Sequence, residues 1–154
     1  MTTKLMGQGV PRVEDQRFLR GRGRYVDDVA VSTDTLHCAV LRSPHAHARI
    51  VDIDVSGVLD VDGVHAVWTY DDLTGPMAEP LPLLIPHPAL THGVTQYALA
   101  KDEVNYVGEA IALVVASDRY VAEDALARIE VTYDFLPAVV GLDAARQATH
   151  LVHP

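Results

Sequence analysis

Two arginines and two histidines lie close together in the chain, at Arg42, His45, His47 and Arg49. A Ser-Pro pair stands among them, and apolar runs that predict strands lie on both sides. This density of polar groups indicates either the seam of a larger assembly or a site. A zinc ion needs about four ligands, and no third ligand of suitable spacing follows the two histidines. A structural or interface role for the four side chains is therefore favoured.

Cys38 and Glu109 are two further side chains that could do chemistry. Cys38 falls within a predicted strand over residues 36–41, which is typical of a small buried hydrophobe rather than a nucleophile. A hydrolase built on Cys38 and a histidine is a weak alternative for the same reason. Glu109 directly precedes the apolar run 110–116, so it is predicted to be buried or to face a seam. It is the best candidate for a functional acid, although a structural role is favoured.

The composition predicts a single domain over residues 1–154, with an N-terminal arm (1–24) and a proline-rich loop (75–95). The net charge is -9, and acidic residues dominate after residue 49, which argues against nucleic-acid binding. The longest apolar run is far shorter than the ~20 residues of a spanning helix, so no membrane partner is expected. A single cysteine cannot form an internal disulfide, which favours a cytoplasmic location.

The hydrophobic pattern predicts a mixed α/β (α+β) fold. The continuous apolar run 110–116 indicates a central strand, and Ser117 could cap a helix whose apolar stripe ends at Ile129. Another strand follows this helix over residues 129–134, so the order predicts a right-handed crossover within one sheet. A last short helix is expected over residues 141–148. Further strands are predicted at 36–41, 48–55 and 64–69.

Five segments, in order along the chain, carry a resemblance to a known family. They are GVPRVED (9–15), LRGRGRYVDD (19–28), RSPHAHARI (42–50), VNYVGEAIA (104–112) and VTYDFLPAV (131–139). Together they resemble the N-terminal domain of the molybdopterin-binding large subunit of xanthine dehydrogenases, aldehyde oxidases and aerobic carbon monoxide dehydrogenases. The family pattern usually has proline where this chain has Ala110. The resemblance implies an α/β "hammerhead" domain with a mixed sheet and a few short helices.

What the resemblance implies for function is a non-catalytic structural and assembly domain. In that family the molybdopterin and the glutamate base belong to the later domains, so this chain is expected to hold no catalytic, cofactor or metal residue. A lone cysteine also cannot bind an iron-sulfur cluster. The expected interface residues are Arg42, His45, His47, Arg49 and Glu109.

The expected partners are the remaining molybdopterin domains or subunit, together with iron-sulfur and flavin subunits. A homodimer is compatible with the sequence as well. The alternative is a free-standing binding module with the same fold, which would use the proline-rich loop to hold a partner.

Overall fold

A computed structural model describes residues 6–29, 32–85, 87–89, 93 and 95–152. The chain divides into two units, residues 1–35 and 36–154. In the first unit, helix α1 spans Asp15–Leu19 and a 3-10 helix spans Val26–Asp28. The ring of Phe18 stacks on that of Tyr25, with centroids 6.3 Å apart. The first five residues of the predicted N-terminal arm lie outside the described residues.

The second unit is built on two three-stranded sheets, and every described pairing is antiparallel. The first sheet has the order β1-β5-β3, and the second has the order β4-β2-β6. The strands are β1 (His37–Arg42), β2 (Ala48–Asp54), β3 (Val64–Trp68), β4 (Glu103–Val104), β5 (Ala110–Ala116) and β6 (Glu130–Phe135). Strands and short helices agree with the predicted α/β class, but two antiparallel sheets replace the expected mixed sheet.

Strand β5 is the central strand that the apolar run predicts. It pairs with β1 on one side and with β3 on the other. Its side chains alternate between two cores: Ala112 and Val114 pack in the largest cluster, whereas Ile111 packs beside Ala48 and Val104 of the second sheet. Side chains of this one strand therefore link the packing of the two sheets.

The predicted crossover is wrong. Helix α2 (Arg119–Leu126) follows β5 as expected, but β6 then pairs with β2 in the other sheet. The small side chains Ala122 and Ala125 are buried where α2 packs on the first sheet. After helix α2 the chain therefore leaves the first sheet and enters the second, where β6 pairs with β2.

The cap of α2 also differs from the expectation. Asp118 is the N-cap residue, and its carboxylate accepts a hydrogen bond from the Tyr120 N–H at 2.8 Å. Ser117 is not the capping residue, because it lies one position before the N-cap; its backbone N–H donates to the Gly63 carbonyl at 2.9 Å. Helix α3 (Leu142–Gln147) is the short final helix that the sequence predicts.

Cys38 lies in β1 as predicted, but its thiol is exposed. The prediction of a buried cysteine is therefore wrong. β1 is an edge strand, and successive side chains of a strand point to opposite faces. Ala39 takes the buried face, beside Ala116 and Ala122, which leaves Cys38 on the other face.

Within the proline-rich segment, a 3-10 helix spans Gly75–Ala78, and the other described residues form neither helix nor strand. Leu81, within this segment, is tied to its C-terminal end: the Leu81 N–H donates to the Gln96 carbonyl at 2.9 Å, and the Thr95 hydroxyl donates to the Leu81 carbonyl. Pro86 and residues 90–92 and 94 lie outside the described residues. In the part of the chain that is described, no helix is both long and apolar enough to cross a membrane.

Candidate functional site

The loop between β1 and β2 passes from the first sheet to the second, and a turn before β5 holds it in place. The Ser43 N–H donates to the Glu109 carbonyl at 2.8 Å, and the Gly108 N–H donates to the Ser43 carbonyl at 2.8 Å. The Arg42 guanidinium donates to the Gly108 carbonyl, also at 2.8 Å. Gly108 has a φ of +95°, which favours glycine. The structure thus brings Arg42 and Glu109, distant in sequence, together.

Glu109 is buried, with 4% of its surface exposed, as its position before β5 predicts. Its carboxylate accepts a hydrogen bond from the backbone N–H of Asn105. It also borders two cavities of about 300 and 610 Å³, which share Thr95, Gln96 and Asn105 in their walls. The side chain therefore fixes the turn over residues 105–109 while it remains in contact with these cavities.

His45 serves as an aromatic packing partner of β6. Its ring meets those of Tyr133 and Phe135 edge-on, with centroids 4.7 and 4.8 Å apart. Its backbone N–H donates to the Ser43 hydroxyl oxygen at 3.0 Å, which fixes the turn after β1. Burial raises the pKa of the Tyr133 phenol.

His47 is buried, with 8% of its surface exposed, and its ring nitrogens have different environments. Nδ1 lies 2.9 Å from the Pro137 carbonyl oxygen. A carbonyl oxygen can only accept, so Nδ1 carries the proton and donates. Nε2 is buried and has no hydrogen-bond partner among the described residues. The closest carboxylate oxygen to it is Glu103 Oε2, at 3.7 Å.

Arg49 faces two carboxylates on neighbouring strands, and one of them, Glu103, also faces His47. Its Nη1 donates to Asp134 Oδ2 of β6 at 2.8 Å, and its Nε lies 3.9 Å from Glu103 Oε1 of β4. Each of these groups is partly exposed, so the ion pairs contribute at most about 1 kcal/mol each. Their main effect is to hold the ends of three strands in one arrangement.

The structure therefore gathers His47, Arg49, Glu103 and Asp134 at one end of the second sheet. Sequence reasoning missed the two acids. Each is opposite Arg49 in the strand register, on β4 and β6 respectively. A charged pair directly across two strands is a known stabilising arrangement, but it can be recognised only once the pairing is known.

His45 and His47 do not converge on one centre, because one packs on aromatic rings and the other faces Glu103. Over residues 6–29, 32–85, 87–89, 93 and 95–152, no group of three or more His, Cys, Asp or Glu side chains could hold a metal ion. The buried atom without a partner, His47 Nε2, faces a carboxylate and not a set of further ligands.

Residues 20–137 match the family described as the aldehyde oxidase and xanthine dehydrogenase a/b hammerhead domain. The chain belongs to this family. The resemblance carried by the five sequence segments is thereby confirmed, and with it the α/β hammerhead fold class.

Two curated relatives and one solved structure illustrate the match to this hammerhead family. The nicotine 6-hydroxylase large subunit of Paenarthrobacter nicotinovorans is 41% identical over 143 residues, which are 91% of this chain and 17% of that protein. The carbon monoxide dehydrogenase large chain of Afipia carboxidovorans is 43% identical, over 89% of this chain and 16% of that one. Quinoline 2-oxidoreductase from Pseudomonas putida 86 superposes with a TM-score of 0.81 at 42% identity, over 97% of this chain and 19% of that one. The chain thus spans less than a fifth of each.

The relatives are parts of larger molybdenum-dependent oxidoreductases. Their names include large subunit, large chain and, in one case, subunit gamma of a dehydrogenase complex. One solved relative, 43% identical with a TM-score of 0.72, is a Cu,Mo-CO dehydrogenase. This chain is accordingly a domain of the molybdenum oxidoreductase large-subunit family.

Proposed function

We propose that this chain is the structural and assembly domain of a molybdenum-dependent oxidoreductase large subunit and supplies no catalytic residue of its own. The observation that carries the proposal is the coverage: a solved relative aligns with 97% of this chain but only 19% of its own length. The molybdopterin would then be held by the remaining domains. Iron-sulfur and flavin subunits would be further partners, and the assembly would be cytoplasmic.

The proposed docking surface is formed by Arg42, His45, His47, Arg49 and Glu109: the two arginines are exposed and His45 is half-buried, whereas His47 and Glu109 are buried and support the surface from within. Its polar groups are held by the strand ends and the turn at 105–109, so they are preorganised for contact. Apolar side chains stand beside them: Phe135 is 69% exposed although it touches His45, and Val107 is 64% exposed next to Gly108. Apolar groups among fixed polar ones are typical of a protein interface.

A chimera tests the proposed role directly. The equivalent segment of the Afipia carboxidovorans carbon monoxide dehydrogenase large chain would be replaced by this chain, which is 43% identical to it. We expect an assembled enzyme that retains molybdenum and whose kcat for carbon monoxide stays within about tenfold of the parent, because the domain provides no reacting group.

An assembled, molybdenum-loaded chimera with a kcat lower by more than about a thousandfold would contradict the non-catalytic role. A chimera that never assembles, beside an isolated chain that forms a well-behaved oligomer, would favour a free-standing binding module instead. Circular dichroism of the isolated chain provides the control for folding.

A further inference from the structure

We propose that the outer face of the first sheet is covered by an apolar, uncharged surface of the part of the large subunit that lies outside this domain. The outer face consists of two side chains from each of the three strands. They are Cys38 and Val40 of β1, Leu113 and Val115 of β5, and Ala66 and Trp68 of β3. The inference rests on the proposed function, and it adds a second contact surface to the one that includes Arg42 and Arg49.

The strand register places these six side chains on one side of the sheet. Leu113 and Val115 are each paired with one of the two β1 residues on one flank and one of the two β3 residues on the other. Directly paired residues point to the same face of a sheet, and successive residues alternate between the faces. Val114, which lies between Leu113 and Val115, therefore points to the opposite, inner face.

The inner face is the one that the chain covers itself. Helix α2 packs on all three strands of this sheet, and Val114 belongs to the largest core cluster. None of the six outer residues belongs to the core clusters that the described residues form. Cys38 is exposed and Trp68 is 43% exposed, whereas Val115 is buried between its paired neighbours on both flanks. Within the described part of the chain, the outer face thus lacks the apolar cover that the inner face has.

The side chains of the outer face are not those of a sheet face in water. In the second sheet, β6 alternates apolar residues with the exposed polar residues Glu130, Thr132 and Asp134. Such alternation is typical of an antiparallel sheet with one solvated face. The outer face of the first sheet has no charged residue, and β5 is apolar at every position. Because a strand of this kind is normally buried on both faces, the outer face indicates a missing cover.

The size of the outer face favours a covalently linked partner over a second copy of this chain. Three strands about 4.8 Å apart, with about three residues along each, give an area on the order of 200 Å². A stable interface between separate proteins buries about 800 Å² per partner. A segment of the same polypeptide needs less area, because linkage raises its effective concentration. More than four fifths of each relative described above lies outside the region that this chain matches, so the large subunit has ample chain for this cover.

The chemistry of the cover follows from the absence of charge on the face. A charged side chain buried against the six residues would lose its hydration and find no opposite charge. The surface that covers them is therefore apolar and uncharged.

Cys38 is the only cysteine of the chain and lies on the outer face, so the reactivity of its thiol measures the cover. Alkylation by N-ethylmaleimide is followed by mass spectrometry of the Cys38 peptide, in the isolated chain and in the assembled carbon monoxide dehydrogenase chimera. We expect the alkylation rate to fall at least about tenfold on assembly. The control combines Cys38→Ser with Glu123→Cys, which moves the thiol to an exposed position of α2, where the rate should change by less than about twofold. A Cys38 thiol that reacts equally fast in both states would overturn the proposal.

The substitution Cys38→Glu tests whether the cover is apolar. Because Cys38 is exposed, we expect the Tm of the isolated variant to stay within about 2 °C of the parent. The yield of assembled chimera should fall at least about tenfold, because assembly would bury an unpaired carboxylate. Cys38→Val keeps the face apolar and should assemble like the parent. Equal assembly of the glutamate and valine variants would overturn the proposal, and so would a Tm loss of more than about 10 °C in isolated Cys38→Glu, since the chain would then cover the face itself.

A second copy of the chain is tested by the dependence of alkylation on protein concentration. Protection of Cys38 that grows with the concentration of the isolated chain, beside a dimer in size-exclusion chromatography, would overturn the proposal. An assembled chimera with a protected Cys38 and no turnover would support this inference while contradicting the non-catalytic role. An active chimera with a reactive Cys38 would contradict this inference alone.

Discussion

Replacing Val114 by aspartate is expected to leave the chain unfolded at 25 °C. Val114 of β5 has no exposed surface, and it is paired with Ala39 of β1 on one side and with Val67 of β3 on the other. Its buried neighbours in the largest core are apolar, among them Val58 and Ala125. A carboxylate placed there loses its hydration without gaining a charged partner, so we expect the free energy of unfolding to fall by more than about 4 kcal/mol.

Far-ultraviolet circular dichroism and urea unfolding measure this effect. The matched control is Val51→Asp, which places the same side chain on β2 at a position that is 59% exposed, and which should change the stability by less than about 0.5 kcal/mol. If Val114→Asp unfolded cooperatively at nearly the wild-type urea concentration, β5 could not be the central strand of the fold.

Removing the Glu109 carboxylate is expected to have the second-largest effect. The Glu109 carboxylate accepts a hydrogen bond from the Asn105 N–H, and the backbone carbonyl of Glu109 accepts one from the Ser43 N–H. Glu109→Ala leaves the Asn105 N–H without its acceptor and opens space at a buried site. We therefore expect the free energy of unfolding to fall by about 2 kcal/mol.

Glu109→Gln separates the hydrogen bond from the charge, because the amide oxygen of glutamine can still accept the Asn105 N–H. We expect this variant to lose less than about 1 kcal/mol of stability in the same urea experiment. Equal losses in both variants would show that the negative charge, and not the hydrogen bond, is what this position requires. Such a result would show that the structural role of Glu109 depends on its charge.

Local patterns predicted the elements of the second unit much better than their arrangement. The apolar run at 110–116 identified β5, because a strand buried on both faces needs apolar residues at every position. The order of β5, α2 and β6 could not reveal that β6 pairs with β2 in another sheet. That pairing joins residues about eighty positions apart, and no local periodicity encodes it.

At the candidate site too, the sequence identified the residues but not the partners that they contact. The density of polar groups at Arg42, His45, His47 and Arg49 indicated either the seam of a larger assembly or a site. In the structure all four lie around the link between the two sheets. The partners of Arg49 were out of reach, because Asp134 lies 85 residues further along the chain. The exposure of Cys38 was missed because an apolar run cannot distinguish an edge strand from a central one.

The central claim is that the surface around residues 43–49 and 103–109 docks the rest of a large subunit. Amide hydrogen exchange, measured on the isolated chain and on the same chain within the assembled carbon monoxide dehydrogenase chimera, tests it most directly. We expect exchange in both segments to slow by at least about tenfold on assembly, because docking removes them from water. Unchanged exchange in these two segments of an assembled chimera would contradict the claim.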